Sequence, residues 1–352
     1  MRARDAAPDL SRVRRVLVIR HRAAGDLLLT TPALRALRAG LPNATIDVLV
    51  SRGTGAILRG NPDVTRVLEI DRRSLRSQAS RYVGLVKAGY DLVLDMVSNP
   101  RSAFMTALTR APIRVGFDLR GRRYAYTIRL PRERPGAPYA PEASLDLVRA
   151  LGIEAQGLYL TLRVAPEVQA RIDDWIRSSG LGKRPFVVCL PAGTWESKTW
   201  IPERFAAVMD ALHEVADVVW IWGPGEEALT QSCRARMQRP SSIAPETGWE
   251  DLAALLRRAA VLVSNDSGPK HVAVALGVPT VTVFGPTNPR AWQPPSGPHA
   301  VVEASGLDCL HCNQTQCPLP GERHMRCMRD VSVAMVVDAC RARLFAGAGS
   351  AA

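Results

Sequence analysis

The chain has 352 residues, 47% of them apolar and 22% charged, a globular balance that excludes whole-chain disorder, collagen-like repeats and a long coiled coil. The formal charge of +13 is unevenly placed. Residues 1–165 hold 28 basic and 14 acidic side chains, and residues 166–352 hold 18 and 19. At about 100–200 residues per domain, this length suggests two domains, whose different charge suits different partners.

The chain order alternates strands with helices. Val16–Ile19 is a short β-rich run, followed by a Gly-containing loop and a helical pattern from Leu27 to Leu37. Ile46–Val50, Val67–Ile70 and Asp91–Asp95 read as further strands, with helices over Ser80–Ala88 and Arg101–Thr109. A second series begins at Phe186–Leu190 and continues through Val218–Trp222, Val261–Ser264 and Thr280–Phe284. The helix Pro166–Ser179, ending near Gly180 and Gly182, is the linker candidate, and a last helix spans Ser332–Phe345. Short apolar strands separated by helices predict parallel sheets covered on both faces. The expected architecture is therefore α/β: two Rossmann-like, doubly wound domains facing across a cleft, with boundaries at 1–165 and 166–330 and a helix and tail over 331–352. Such sheets bind ligands beyond the carboxyl ends of their strands.

No run of about 18 apolar residues predicts a membrane-spanning helix, and no apolar signal-peptide core follows the first arginines. Seven cysteines, an odd number in a chain this long, are no small-domain disulfide framework. A cytoplasmic location is expected.

Three loops follow strands and carry candidate chemistry. Arg20-His21-Arg22-Ala23-Ala24-Gly25-Asp26 places a carboxylate after the first strand. Asp26 could act as a general base on a hydroxyl, or simply cap the next helix. One Gly there is no Gly-x-Gly-x-x-Gly fingerprint, which counts against hydride transfer on a dinucleotide. Ser264-Asn265-Asp266-Ser267-Gly268-Pro269-Lys270-His271 leads from a strand into a helix, with Ser267 or Gly268 at the N-cap and Pro269 in the first turn. Exposed N–H groups at such a helix start suit phosphate, and Asp266 could accept from a sugar hydroxyl. His271 alone reads as a packed helix residue. Gly193-Thr194-Trp195-Glu196-Ser197-Lys198 offers a cation for a diphosphate, or a solvated lysine. Gly223-Pro224-Gly225-Glu226-Glu227 offers carboxylates for a ribose.

Taken together with Gly25–Leu34, Tyr90–Asp95, Lys198-Thr199-Trp200 and Phe284-Gly285-Pro286-Thr287-Asn288-Pro289, these segments resemble glycosyltransferase family 9, the bacterial lipopolysaccharide heptosyltransferases, over about Arg15 to Leu344. The resemblance implies a GT-B architecture with an N-terminal acceptor domain and a C-terminal donor domain. It also implies inverting transfer of heptose from ADP-heptose to a lipopolysaccharide inner core. In that reading Asp26 is the catalytic base and Lys198 stabilises the departing ADP diphosphate. Thr194 contacts phosphate, and Asp266, Ser267, Gly268 and His271 surround the heptose and diphosphate. Glu226, or Glu227 in its place, holds the ribose, while Arg20, Arg22 and Gly25 lie on the acceptor side. A lysine and a helix start aimed at the leaving group can replace a divalent metal, and no Asp-x-Asp metal motif appears in a comparable loop, so metal-independent catalysis is expected.

The basic first half suits an anionic lipid-linked saccharide on an anionic membrane face, hence peripheral contact with the inner membrane surface. Its arginines are spread over many elements with no recognition helix or stacking platform, which argues against nucleic acid. Cys309-x2-Cys312-x4-Cys317-x9-Cys327 would suit a structural zinc, and equally reduced thiols or one disulfide. Alternatives in function are another nucleotide-sugar donor feeding a capsule, O-chain or protein glycan, or a silent nucleotide- or saccharide-binding protein. Two departures from the family stand out. Lys270 is bulky and charged at a variable position, and Tyr139-Ala140-Pro141-Glu142 replaces a His-containing stretch.

Overall fold

The computed structural model describes residues 7–21, 23–71, 73–132 and 138–346. The chain forms two units, Met1–Arg163 and Val164–Ala352. Unit 1 runs β1 (Arg15–Ile19), α1 (Ala24–Leu28), α2 (Thr31–Gly40), β2 (Thr45–Ser51), β3 (Arg66–Ile70), α3 (Leu75–Lys87), β4 (Leu92–Asp95), α4 (Pro100–Leu108), β5 (Ile113–Phe117), β6 (Ile128–Leu130) and α5 (Pro141–Arg149). Unit 2 opens with α6 (Pro166–Ser178) and β7 (Phe186–Leu190), then α7 (Pro202–Leu212), β8 (Asp217–Trp220), α8 (Glu227–Arg234), β9 (Ser242–Ile243) and α9 (Trp249–Leu256). It continues with β10 (Val261–Asn265), α10 (Gly268–Ala275), β11 (Thr280–Val283), α11 (Pro289–Trp292), β12 (His299–Val302), α12 (Arg326–Arg329) and α13 (Val333–Ala346).

Each unit holds a six-stranded, wholly parallel sheet. The orders are β3-β2-β1-β4-β5-β6 and β12-β11-β10-β7-β8-β9, the same doubly wound order met from opposite edges. Apart from Arg15 at the start of β1, the central strands β1, β7 and β10 are buried, as β-branched and leucine side chains on a sheet covered on both faces must be. In both units the strand order reverses between two central neighbours. β1 pairs β4 with Ile19 beside Asp95, and β7 pairs β10 with Leu190 beside Ser264. That reversal splays the loops after the paired strands and opens a crevice at their carboxyl ends.

Several elements differ from the sequence reading. The helix expected from Leu27 to Leu37 is two helices, because Pro32 in the first turn of α2 has no N–H to continue α1. The helix expected to link the domains is α6, which belongs to unit 2 and packs on α9; its Gln169 side chain donates to Ala254 O at 3.3 Å. The last helix, α13, packs into the unit 2 core through Val336, Val337 and Cys340 rather than standing apart.

Candidate active site

In unit 1 the switch-point loop leaves β1 at Arg20. Ala23 has φ of 40°, a left-handed turn that redirects the chain into α1. Asp26 lies in the first turn of that helix but caps nothing, so the capping role is not what the structure records. Its carboxylate instead faces the Arg20 guanidinium, Nη2 to Oδ1 3.3 Å, and about 29% of it stays exposed. Arg20 is held in turn by donating from Nη1 to Met96 O, 2.7 Å, in the loop after β4. Gly25 is buried beneath. Arg22 lies outside the described residues. The adjoining β4 ends in Asp95, wholly buried, whose carboxylate accepts from Val97 N, Ser98 N and the Tyr126 hydroxyl, and so braces the loop that holds Arg20.

In unit 2 three loops converge. After β7 the chain turns at Gly193, where a Cβ would meet Thr199 Oγ1 at 2.7 Å, so the close turn needs glycine. Lys198 ends a single 3₁₀ turn, Glu196–Lys198. Its ammonium reaches Asp266 Oδ2 at 3.0 Å and lies 4.2 Å from the centroid of the Trp195 ring. Asp266 follows β10 and is 4% exposed; Lys270 donates to its Oδ1 at 2.7 Å and Thr287 Oγ1 to its Oδ2 at 2.8 Å. Lys270 itself is fully buried, gives a further proton to Trp292 O, 2.8 Å, and lies 4.9 Å from the Phe284 ring centroid. Burial alone would raise the Asp266 carboxyl, but the Lys270 and Lys198 ammoniums hold it well below the usual carboxylate range. One carboxylate between two ammonium groups leaves this corner with a net positive charge.

Ser267 is the N-cap of α10, yet its hydroxyl caps nothing and is buried without a partner. His271, one turn along, is buried with Nδ1 likewise unpartnered, and burial followed by the Lys270 charge keeps its ring neutral. Buried polar atoms left unspent beside a positive corner and a helix start are what a ligand with anionic and hydroxyl groups would satisfy. Thr194 is exposed on the same β7 loop. Glu226 is spent locally, accepting from Gly223 N at 2.9 Å and standing as N-cap of α8; Glu227 beside it is exposed.

The structure therefore brings Lys198, Asp266, Ser267, Gly268 and His271 together at one switch point and Arg20, Gly25 and Asp26 at the other. Asp266, a candidate acceptor for a sugar hydroxyl, already serves two lysines and a threonine, with two donors on Oδ2 and one on Oδ1. Residues missed were Lys270 and Thr287, together with Asn265, whose side chain joins the loops after β10 and β7 by donating to Pro191 O at 2.8 Å and accepting from Trp200 N at 3.0 Å. Only Lys270 had a legible signal, its i, i+4 spacing from Asp266 at a helix start.

The cysteine segment touches the same region from behind. His311 N donates to Gly285 O and Asn313 N to Pro286 O, while Ser197 Oγ donates to Gln314 O at 2.6 Å. All seven cysteines are free thiols. Among the described residues no three His, Cys, Asp or Glu side chains stand together in a way that could hold a metal ion, and a zinc on Cys309, Cys312, Cys317 and Cys327 is not shown.

Two doubly wound units, with a carboxylate at one switch point and a lysine-rich positive corner at the other, have the GT-B fold of solved glycosyltransferases. Residues 82–322 match the family model described as glycosyltransferase family 9 (heptosyltransferase), and the chain belongs to that family. It is 28% identical over 290 residues to lipopolysaccharide heptosyltransferase 3 of Escherichia coli, covering 77% of this chain and 83% of that protein. It is 26% identical to lipopolysaccharide heptosyltransferase 1 of Pseudomonas aeruginosa, covering 86% and 87%. Among solved structures it resembles the family 9 glycosyl transferase of Veillonella parvula, at TM-score 0.84 and 23% identity over 97% and 99% of the two chains. It also resembles the ADP-heptose lipopolysaccharide heptosyltransferase II of E. coli, at TM-score 0.78 and 21% identity over 95% and 99%.

Proposed function

We propose that this glycosyltransferase moves heptose from ADP-L-glycero-D-manno-heptose, with inversion, onto a lipopolysaccharide inner-core acceptor. The observation that carries the donor half is the Lys198–Asp266–Lys270 corner beside the unpartnered Ser267 hydroxyl and His271 Nδ1. In this reading the Asp26 carboxylate, beside the Arg20 guanidinium, takes the proton of the acceptor hydroxyl. The oxygen attacks the anomeric carbon from the face opposite the phosphate. The anomeric carbon–oxygen bond breaks, and its electron pair leaves on the β-phosphate of ADP. Negative charge grows on that oxygen only as the bond breaks, so the Lys198 ammonium and the N–H groups of Ser267 and Gly268 stabilise the transition state more than bound donor. Thr194 adds a phosphate contact. His271 and Ser267 accept or donate to the sugar and diphosphate. Ribose contact falls to Glu227, or to Glu226 after it gives up Gly223 N.

The chemistry needs no divalent metal. A structural zinc would be held by Cys309, Cys312, Cys317 and Cys327, and metal content of protein purified without chelator checks it. The names of the relatives, all lipopolysaccharide or lipooligosaccharide heptosyltransferases, favour this substrate pair over another nucleotide sugar. The basic first half supports an anionic lipid-linked acceptor and peripheral association with the cytoplasmic membrane face, with the enzyme itself in the cytoplasm.

The test is ADP release from ADP-heptose with heptose-deficient lipopolysaccharide core, in EDTA, with UDP- and GDP-sugars as controls. Acceptor-dependent release with ADP-heptose alone is expected. Turnover of a different nucleotide sugar would replace the donor, and silence with all of them would leave a binding protein.

A further inference from the structure

The outer face of α3 is exposed, with no helix or strand of the described residues over it. Leu75, Val83 and Val86 are 82, 52 and 45% exposed, and Phe104 of the neighbouring α4 is 46% exposed while its ring meets Tyr82 edge-on at 5.8 Å. At about 100° per residue, Leu75, Ala79, Val83 and Val86 share an arc of roughly 80° on the helix, and Arg76 and Lys87 lie along one border of it. No Asp or Glu occurs between Asp71 and Asp91, or between Asp95 and Asp118, so both helices lack acidic residues altogether. Beyond the basic border the helix meets a small pocket lined by Arg15, Arg66, Arg81 and Tyr90. Arg66 is spent on Asp47, Nη2 to Oδ2 2.6 Å, and Arg81 on the carbonyl of Glu69. Arg15, Arg76, Arg81 and Lys87 have no carboxylate partner among the described residues.

Four large apolar side chains held out to water cost free energy unless something covers them. A core-facing helix would carry its apolar stripe inward, and α3 does bury Gln78 and Leu85, so this is a second, outward stripe. Apolar side chains bordered on one side by cations without a carboxylate partner among the described residues, on two helices that carry no acidic residue, are complementary to one surface in particular, the acyl-chain boundary of an anionic bilayer under its phosphate layer. We propose that α3 and Phe104 dock unit 1 on an anionic phospholipid surface. Leu75, Val83, Val86 and Phe104 enter the acyl boundary, and Arg76, Lys87 and the Arg15–Arg81 pocket meet lipid phosphates. This deepens the peripheral-association reading above by naming the face, and it rests on that reading for the biological membrane alone.

The full chain is co-sedimented with vesicles of phosphatidylcholine alone and with phosphatidylglycerol added. The expected result is binding to the anionic vesicles, weakened on the order of tenfold by Leu75→Glu/Val86→Glu and by Arg76→Glu/Lys87→Glu, and unchanged by Met335→Glu at an exposed position of α13. Should either pair lower the melting temperature, Phe104→Gln on α4 repeats the test on a different helix. Variants that bind like wild type overturn the face and leave peripheral association standing; absence of binding by wild type overturns both. A change in oligomeric mass with vesicle binding intact makes the stripe a contact between copies and also overturns the proposal. Vesicle binding needs no turnover, so ADP release onto an acyl-free core acceptor, expected at the wild-type rate in these variants, reports separately on the transferase reading.

Discussion

Lys270 reaches Asp266 from four residues along the chain and places a fully buried ammonium 2.7 Å from Oδ1, leaving Oδ2 to Lys198 and Thr287. The pair is an electrostatic counterweight. Without Lys270, Asp266 and Lys198 would neutralise each other one to one, and no net positive charge would be left for an incoming anion.

Lys270→Met should therefore do two things. Removing one partner of a buried ion pair costs about 3–5 kcal/mol, read as a lower melting temperature. ADP affinity should fall as well, because Lys198 is now the only cation on Asp266. Asp266→Asn/Lys270→Met removes both buried charges and should recover much of the stability and part of the ADP affinity. A double variant no better than the single would show that packing, rather than charge balance, is what Lys270 supplies.

Asp26 and Lys198 should separate by what they damage. Asp26→Asn is expected to slow transfer by about 10²–10⁴, the usual contribution of a general base, with ADP affinity unchanged in calorimetry. Lys198→Ala should weaken ADP binding and slow turnover together. Equal losses of nucleotide affinity in the two variants would remove Asp26 from its assigned role.

Acid should destabilise unit 2 well before its carboxylates titrate. His271 is buried and held neutral by burial and by the Lys270 charge, while Asp266 opposes and Lys198 adds to the effect. Burial, with Lys270 and Arg343, pushes His299 down to about 4. The unfolded chain takes up protons below the ordinary histidine value of 6.5 and the folded chain does not, so stability is full above 6.5 and falls as pH drops toward about 4. For the fully buried ring the slope is about 1.4 kcal/mol per pH unit. Melting temperature measured from pH 7 to 4.5 should fall accordingly, and His271→Gln should flatten the curve; an unchanged slope in that variant would place the proton uptake elsewhere.

Gly285, in the loop after β11, packs under α12 so tightly that a Cβ would lie 2.4 Å from Met328 Sδ and 3.1 Å from Cys327 Sγ. Gly285→Ala should cost about 1–3 kcal/mol through overpacking. Met328→Ala in the same chain should return part of it, as shown by urea unfolding. An additive loss in the double variant would mean that the strain is not shared between these two residues.

The central strands were legible because a parallel sheet buried on both faces demands unbroken β-branched and leucine runs, as in Val16–Ile19 and Phe186–Leu190. The edge strand β3 was read as well, at Val67–Ile70, but β5, β9 and β12 were not: β5 contains Arg114 and Gly116, β9 is two residues long, and β12 opens on His299, so none of the three shows a clean run. In the site, Asp26, Lys198 and Asp266 stood out by family pattern and by position after strands. What no spacing revealed is that Asp266 already holds two lysines and a threonine. Its partners come from segments 68 and 21 residues away in sequence, and only the strand order brings them to one carboxylate. Lys270 looked like a misfit for the same reason: a charged side chain on a helix start reads as solvated until its buried partner is known.

The polypeptide passes from one unit to the other once, between Arg163 and Val164, and even its last helix stays with the second. Each half is therefore a single uninterrupted stretch of message, and a recombination event at that joint exchanges a whole sheet and its switch-point loop without cutting the other. If acceptor choice resides in the first half and leaving-group chemistry in the second, a lineage can be re-addressed to a new glycan by inheriting one cassette, keeping the donor machinery it already has.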